Sequence, residues 1–84
     1  MKVSIEISMY PLGREYVPEI KAFIDRLKTD EQIECQSNGM STQIFGEYRY
    51  VMQLLTDEMA SVFAQDEKCV FVMKVINGHL KKQS

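Results

Sequence analysis

The chain begins with alternating apolar and polar residues, which predict a first β-strand. Apolar side chains recur at every second position from Val3 to Met9 and would share one face of that strand. Pro11 lacks the N–H needed to continue a strand ladder, so the Pro-Leu-Gly segment at 11–13 is predicted to end it. The opposite face would carry four polar or aromatic side chains: Ser4, Glu6, Ser8 and Tyr10.

Two later segments have the spacing of amphipathic helices. Apolar residues recur every three or four positions over residues 17–27, and Pro18 fits only in the first turn of a helix, so this helix is predicted to begin near residue 16 or 17. A second stripe over residues 51–63 predicts a helix that follows Gly46 and ends about residue 64 or 65.

Three further strands complete the predicted fold. Asn38-Gly39 lies between two alternating segments and predicts a hairpin with a two-residue type I′ turn, in which both residues have positive φ. Residues 68–76 predict a fourth strand that Asn77-Gly78 ends. The order βαββαβ is that of the ferredoxin-like α+β fold. Right-handed crossovers then place strands one and three at the centre of a four-stranded antiparallel sheet, with both helices on one face.

The length of 84 residues allows one modest hydrophobic core. Residues 1–78 are therefore predicted to form a single domain, and residues 79–84 a polar C-terminal tail that carries His79 as a surface residue. A domain of this size would gain stability by packing against another copy, which favours self-association.

The sheet face away from the helices would be open in a single chain. With Ile33, Cys35 and Ile44 facing inward, it combines carboxylates, hydroxyls, amides and aromatics, which suits an interface that also holds a polar aromatic ligand. By the same alternation Met40 and Thr42 are predicted to face inward, unless a β-bulge after the turn reverses the alternation. Other residues assigned to the open side are Gln36, Val70, Val72 and Lys74. The predicted ligand-binding residues are Glu6, Ser8, Tyr10, Glu34, Ser41, Gln43 and Phe45.

Composition argues against several classes of function. Ten basic and twelve acidic residues give a net charge of -2 without a basic patch, which disfavours nucleic-acid binding. RNA-recognition domains share the predicted topology but bind RNA through aromatic residues within a basic surface, which the acidic balance here does not favour. No apolar run approaches the roughly 18 to 20 residues of a membrane span, and the alternating start is not a signal peptide, so a cytoplasmic protein without membrane contact is expected. Cys35 and Cys69 lack metal or redox spacing and are predicted to lie on opposite sheet edges.

Sequence signals of catalysis are lacking, so we expect no enzymatic activity, no metal and no cofactor. No nucleophile elbow, P-loop or metal-spaced carboxylate cluster is found. Acylphosphatases share the predicted topology and bind an anion in a glycine-rich loop with an Arg after strand one. The corresponding segment here has Gly13 beside Arg14, and a single Gly cannot form that cradle of backbone amides.

Two segments resemble the small thiamine-binding protein family. "EISMYPLG" at 6–13 is similar to the E-x-S-x-x-P-L-G pattern of that family's first strand, and "GMSTQIFG" at 39–46 matches its Met-x-Thr-x-x-x-Gly pattern through Met40, Thr42 and Gly46. The resemblance implies a ferredoxin-like domain that binds thiamine or its hydroxymethylpyrimidine portion. It also implies assembly through the sheets, as a homodimer or homotetramer.

The open face offers a physical account of such binding. Glu6, or alternatively Glu34, could accept a hydrogen bond from the exocyclic amine of the pyrimidine. Tyr10 and Phe45 could stack on a ring or face the thiazolium cation, and Ser8, Ser41 and Gln43 could fix its orientation. Two alternatives remain: a structural Glu6–Lys74 ion pair, and a protein-interaction module that binds no small molecule.

Overall fold

The computed structural model describes residues 1–12, 16–65 and 68–80. Neighbouring strands all pair antiparallel in one sheet of order β2-β3-β1-β4, which confirms the ferredoxin-like α+β fold and the central position of β1 and β3. No described helix is long and apolar enough to cross a membrane. The elements are β1 (Lys2–Pro11), α1 (Tyr16–Lys28), β2 (Glu34–Ser37), β3 (Thr42–Glu47), α2 (Tyr48–Phe63) and β4 (Cys69–Asn77).

The hydrophobic core lies between the helices and the apolar face of the sheet. The alternating apolar residues of β1 are buried there, as the two-residue period requires. Each helix contributes residues of its apolar stripe, and β3 contributes Ile44. The side chains with the least solvent exposure are Val3, Ile5, Ile7, Phe23, Leu27, Ile44, Val51 and Leu55.

The strand register confirms which residues share the open face. In an antiparallel pair, residues directly opposite each other project to the same side of the sheet. Glu6 lies opposite Gln43 on β3 and Lys74 on β4, and Phe45 lies opposite both Ser4 and Glu34. The predicted phases are therefore correct for the paired residues of all four strands.

The hairpin between β2 and β3 differs from its prediction. Its strands end at the Ser37–Thr42 pair, and neither Asn38 nor Gly39 has positive φ, so the predicted type I′ turn is wrong. The Asn38 side-chain Oδ1 instead accepts hydrogen bonds from the N–H groups of Met40 (2.7 Å) and Ser41 (3.1 Å). This side chain caps a four-residue loop, which removes the need for left-handed backbone.

The longer loop also changes the orientation of one of the two residues, Met40 and Thr42, that were predicted to face inward after the turn. Met40 belongs to the loop and is 87% exposed, so its predicted inward orientation is wrong. Thr42 is buried and lies opposite Ile7, on the helix-facing side as predicted. The β1–β3 register runs without a bulge as far as this pair.

The second helix begins directly after β3 because Glu47 caps its N-terminus. The Glu47 carboxylate accepts hydrogen bonds from the N–H groups of Arg49 (3.1 Å) and Tyr50 (3.3 Å). The bond from Arg49, with a smaller contribution from Tyr50, lowers the pKa of Glu47 below its usual value. The cap thus stops β3 and starts α2 at one residue.

The segment after β4 folds across the open sheet face. Gly78 has a φ of 126°, a left-handed value that favours glycine, and turns the chain out of the strand. The Ser4 hydroxyl donates to the Gly78 carbonyl (2.7 Å) and accepts from the Leu80 N–H (2.8 Å). The His79 ring stacks on Phe45 with centroids 5.5 Å apart. We call residues 78–80 the strap.

The strap explains why two open-face side chains are buried in a single chain. The relative solvent exposure of Ser4 is only 7% and that of Phe45 only 5%, whereas His79 itself is exposed. Residues 79 and 80 of the predicted tail therefore have defined contacts with the sheet. Residues 81–84 of that tail, and Gly13 and Arg14 of the predicted loop after β1, lie outside the described residues.

Candidate ligand-binding site

Six of the seven predicted ligand-binding residues line one of two concave regions. We call the first the loop-end cleft; it has a volume of about 440 Å³ and lies where the end of β1 meets α1 and the hairpin loop. The second, the face groove, measures about 510 Å³ and lies on the open face beside the strap. Ser8, Tyr10 and Ser41 line the cleft, Glu6, Gln43 and Phe45 line the groove, and Glu34 lines neither.

The loop-end cleft is lined mainly by apolar side chains. Phe23 and Ile24 of α1 contribute to it together with the last residues of β1, and the hairpin loop adds polar groups at one end through Asn38, Ser41 and Thr42. No charged residue is found among the described residues that line it. Such a lining suits a neutral ring that carries a few hydrogen-bonding groups.

Both segments of the family resemblance meet at this cleft. Pro11 and Leu12 line it from the end of β1, and Met40 and Thr42 line it from the hairpin, although 28 positions separate Leu12 from Met40 in the sequence. Leu12 and Met40 are largely exposed. Two exposed apolar side chains beside a concave apolar surface are placed to contact a bound ligand.

The face groove contains the Glu6 carboxylate with both of its partners. Glu6 Oε1 lies 3.5 Å from Lys74 Nζ, and Oε2 accepts a hydrogen bond of 3.1 Å from the Ser41 hydroxyl. The structural ion pair considered from the sequence is therefore formed. The Lys74 side chain is 82% exposed, so this pair contributes little to stability. Through Ser41, Glu6 also contacts a residue of the loop-end cleft.

Sequence reasoning missed several residues of both regions. Leu80 lines the face groove, but its position depends on the turn at Gly78 and could not be read from a short polar tail. Phe23 and Ile24 line the cleft, and their periodicity had indicated only core packing. The signal that was available was the second motif, since its Met40 and Thr42 both line the cleft.

The two cysteines lie on opposite sheet edges, as predicted. Cys35 is on β2 and Cys69 on β4, both as free thiols. Burial raises the pKa of the Cys35 thiol, with Lys28 opposing the shift. Burial, and then the nearby Glu19, raise the pKa of the Cys69 thiol. Both groups are therefore protonated at neutral pH, which is the form that does not act as a nucleophile.

Comparison with known proteins identifies solved structures of the same fold. No protein-family model matches the chain, and no curated protein matches it. Among solved structures, a protein from Streptococcus pneumoniae is similar with a TM-score of 0.80 and 24% identity, covering 95% of this chain and 90% of that one.

Two further solved structures have the same fold at lower sequence identity. A Thermotoga maritima protein, described as a candidate in thiamine biosynthesis or salvage, has a TM-score of 0.71 and 16% identity, covering 89% of this chain and 82% of that one. A Bacillus cereus domain of unknown function, DUF77, has a TM-score of 0.71 and 10% identity, covering 100% of this chain and 83% of that one. These similarities show that the ferredoxin-like fold of this chain is shared by proteins of low sequence identity.

Proposed function

We propose that this protein binds thiamine or a related hydroxymethylpyrimidine compound in the loop-end cleft, without catalysing a reaction on it. The observation that carries the proposal is the convergence of the two motif segments on one cleft. The similarity to the Thermotoga maritima protein, whose description names thiamine biosynthesis or salvage, supports the same ligand class.

The lining of the cleft favours the pyrimidine as the part of the ligand that is bound inside. A volume of about 440 Å³ lies within the usual range of small-molecule sites. The aminopyrimidine is neutral and flat, so it can pack against Phe23 and Ile24. The Ser41 and Thr42 hydroxyls, which donate to Glu6 and Ser37, can accept hydrogen bonds from its amine. A phosphate would need a cation, and the described lining has none.

Glu6 is assigned a supporting role in this proposal. Its hydrogen bond to Ser41 fixes the hydroxyl beside the cleft, and its negative charge would attract a ligand that carries a thiazolium cation. Tyr10 is 53% exposed at the same end of β1 and could face that cation. Gln43, Phe45 and Glu34 lie outside the cleft and would make no contact with the pyrimidine.

Calorimetric titration of the purified protein with hydroxymethylpyrimidine and, separately, with thiamine tests the proposal. We expect saturable binding of both, because the shared pyrimidine carries recognition. Ser41→Ala should weaken both by roughly 3- to 10-fold, the usual effect of one neutral hydrogen bond. Ser61→Ala makes the same change at an exposed position of α2, outside the cleft, and should leave affinity unchanged.

Two results would contradict this assignment. No heat from either compound, with the protein folded, would remove the proposed function. A loss of more than tenfold in Glu6→Gln, with Ser41→Ala unaffected, would place a charged ligand group on the Glu6 carboxylate in the face groove instead, since hydrogen bonds to charged groups contribute roughly 1.5 to 3 kcal/mol.

A second candidate function is a protein-interaction module that assembles through its open face, as a homodimer or homotetramer. The observation in its favour is a row of half-exposed apolar side chains on that face, formed by Tyr10, Val70, Val72 and Ile76. Val72→Lys would place a charge in this row. Loss of self-association in that variant, with ligand titrations flat for the parent protein, would favour the second function over the first.

A further inference from the structure

Both asparagines of the chain precede a glycine, at Asn38-Gly39 and at Asn77-Gly78. An asparagine side chain in this sequence is open to attack by the backbone nitrogen of the next residue, because glycine has no Cβ to obstruct the approach. The two junctions have very different surroundings in the folded chain. Their hydrogen bonds therefore decide which of them is open to this chemistry.

Asn38 lies in the exposed hairpin loop between β2 and β3, where its side-chain carbonyl is hydrogen-bonded. The oxygen Oδ1 lies 2.7 Å from Met40 N and 3.1 Å from Ser41 N, and accepts a hydrogen bond from each. Both donors follow Gly39 in the chain, so the side chain folds forward over the Gly39 peptide group. Two N–H donors on one carbonyl oxygen stabilise negative charge that develops there. The Asn38 amide carbon is thereby activated toward a nucleophile.

The Gly39 nitrogen is available to act as that nucleophile. In the described part of the chain no group accepts a hydrogen bond from the Gly39 N–H. Nothing lies within 4 Å of a Cβ added at Gly39, so the loop has room for a ring to close. Asn38 and Gly39 are both exposed, which gives water and hydroxide access to the amide N–H.

The Asn77-Gly78 junction is protected by comparison. Asn77 lies in β4 opposite Val3, and the Gly78 N–H donates a hydrogen bond of 2.8 Å to the Lys2 carbonyl. The Gly78 carbonyl accepts from the Ser4 hydroxyl, so the peptide groups on both sides of Gly78 are held against β1. Attack by the Gly78 nitrogen would first require this end of the β1–β4 ladder to open.

We propose that Asn38 is a site of spontaneous modification, at which the folded protein converts its own side-chain amide to a carboxyl group. The deprotonated Gly39 nitrogen attacks Cγ of Asn38 and forms a new C–N bond. The Cγ–Nδ2 bond breaks, and Nδ2 leaves as ammonia after taking up a proton from water. The product is a cyclic succinimide. Water then hydrolyses one of its two C–N bonds within the ring, which yields aspartate or isoaspartate, and no oxidant or reductant is consumed.

This modification changes the charge of the loop-end cleft. Asn38 lines the cleft, and none of the described residues that line it is charged. An aspartate at this position can still accept both backbone hydrogen bonds, so it adds a negative charge and keeps the cap of the loop. Isoaspartate adds a methylene group to the main chain and therefore displaces the cap. In either case a neutral cleft becomes anionic.

Peptide mapping by mass spectrometry tests the proposal on the intact chain. The protein is incubated at mildly alkaline pH, either folded or unfolded in guanidinium chloride. In the folded protein Asn38 should react about tenfold faster than Asn77 or more, because the Gly78 N–H must first lose its hydrogen bond. In the unfolded chain the two sites should react at similar rates, since no fold distinguishes them. The rate at Asn38 should rise with pH, because the attacking nitrogen has to lose its proton.

Gly39→Ala is the matched variant for this test. The added methyl group obstructs the attacking nitrogen but meets no neighbour in the fold. Modification at Asn38 should therefore slow, while the unfolding temperature is unchanged or slightly raised.

Asn38→Asp supplies the aspartate product directly and measures the effect of its charge. This comparison rests on the proposed function, whereas the mapping needs no ligand. The variant should bind thiamine roughly two- to fivefold more tightly than the parent does, and hydroxymethylpyrimidine about equally, because only thiamine carries a cation. Selective modification of Asn38 without binding of either compound would uphold the modification and remove only the proposed function.

Three outcomes would overturn the proposal. Asn38 could stay intact in the folded protein under conditions in which the unfolded chain reacts, which would mean that its hydrogen bonds hold the side chain away from the Gly39 nitrogen. Asn38 and Asn77 could react at equal rates in the folded protein, so that the fold would not select between them. Equal rates in the parent and in Gly39→Ala would exclude the Gly39 nitrogen as the nucleophile.

Discussion

A single methyl group added at Gly46 should destabilise this protein through steric overlap. This residue of β3 is buried beneath the start of α2. A Cβ at Gly46 would lie 2.9 Å from Val51 Cγ2 and 3.3 Å from Ile33 Cγ2, both closer than ordinary van der Waals contact. The glycine in the second motif therefore allows α2 to approach the sheet, and its role is packing instead of ligand contact.

The neighbours of Gly46 have little freedom to move. Val51 is fully buried on α2, and a β-branched side chain in a helix has one strongly preferred rotamer. Overpacking of this kind costs about 1–3 kcal/mol. Gly→Ala also reduces the entropy of the unfolded chain, which offsets about 0.4–1 kcal/mol. We therefore expect Gly46→Ala to destabilise the protein by about 1–2 kcal/mol, or to lower its Tm by roughly 5–15 °C.

Urea unfolding of Gly46→Ala and of a matched glycine variant measures this effect. At Gly39 nothing lies within 4 Å of an added Cβ and φ is not positive, so Gly39→Ala should be neutral or slightly stabilising. In Gly46→Ala/Val51→Ala the closest clashing methyl group, Val51 Cγ2, is gone, so the double variant should be more stable than the sum of the two single changes implies, by at least about 0.5 kcal/mol. Equal effects at Gly46 and Gly39, or strict additivity with Val51→Ala, would refute the steric argument.

Two further predictions concern the ends of α2 and β4. Glu47→Gln should destabilise the protein at neutral pH, because the ionised cap accepts two backbone hydrogen bonds. Folding lowers the pKa of Glu47, so the stability that the ionised cap contributes is present above the unfolded pKa and is lost as pH falls through the folded pKa. The unfolding midpoints of the parent protein and of Glu47→Gln should therefore converge in acid, and midpoints that stay apart would contradict this prediction. Ser4→Ala should release the strap and lower the free energy of unfolding by about 1–2 kcal/mol, because two hydrogen bonds are lost. Amide exchange should become faster at Leu80 and stay unchanged at Ile5. Unchanged exchange at Leu80 would show that Ser4 does not hold the strap.

Regular patterns in the sequence predicted most of the sheet correctly. Alternation along β1 identified both of its faces, and the register later placed Glu6 beside Gln43 and Lys74 as expected. The hairpin failed locally, because Asn-Gly favours a two-residue turn by backbone preference alone. Here the Asn38 side chain supplies hydrogen bonds that stabilise a longer loop, and that competition between side chain and backbone is not visible in a dipeptide.

The candidate site was only partly predictable, because it too depends on contacts that a local sequence pattern does not contain. Residues on one strand face could be grouped by their period, which united Glu6, Ser8 and Tyr10. The structure places Ser8 and Tyr10 in the cleft and Glu6 in the groove, because cavities depend on what packs beside a strand as well as on its phase. The contributions of α1 and the strap come from segments distant in sequence.

The sequence by itself determined the order of elements, the faces of the strands and the apolar stripes of the helices, because each follows from a local period of side-chain direction. Only the tertiary structure decided how the ends of these elements meet. It brought Leu12 to Met40 around one cleft, turned the chain at Gly78 onto Phe45, and left the outward backbone groups of β4 without a strand partner in the described chain. These features depend on loop geometry and on packing between distant segments, which no local period specifies.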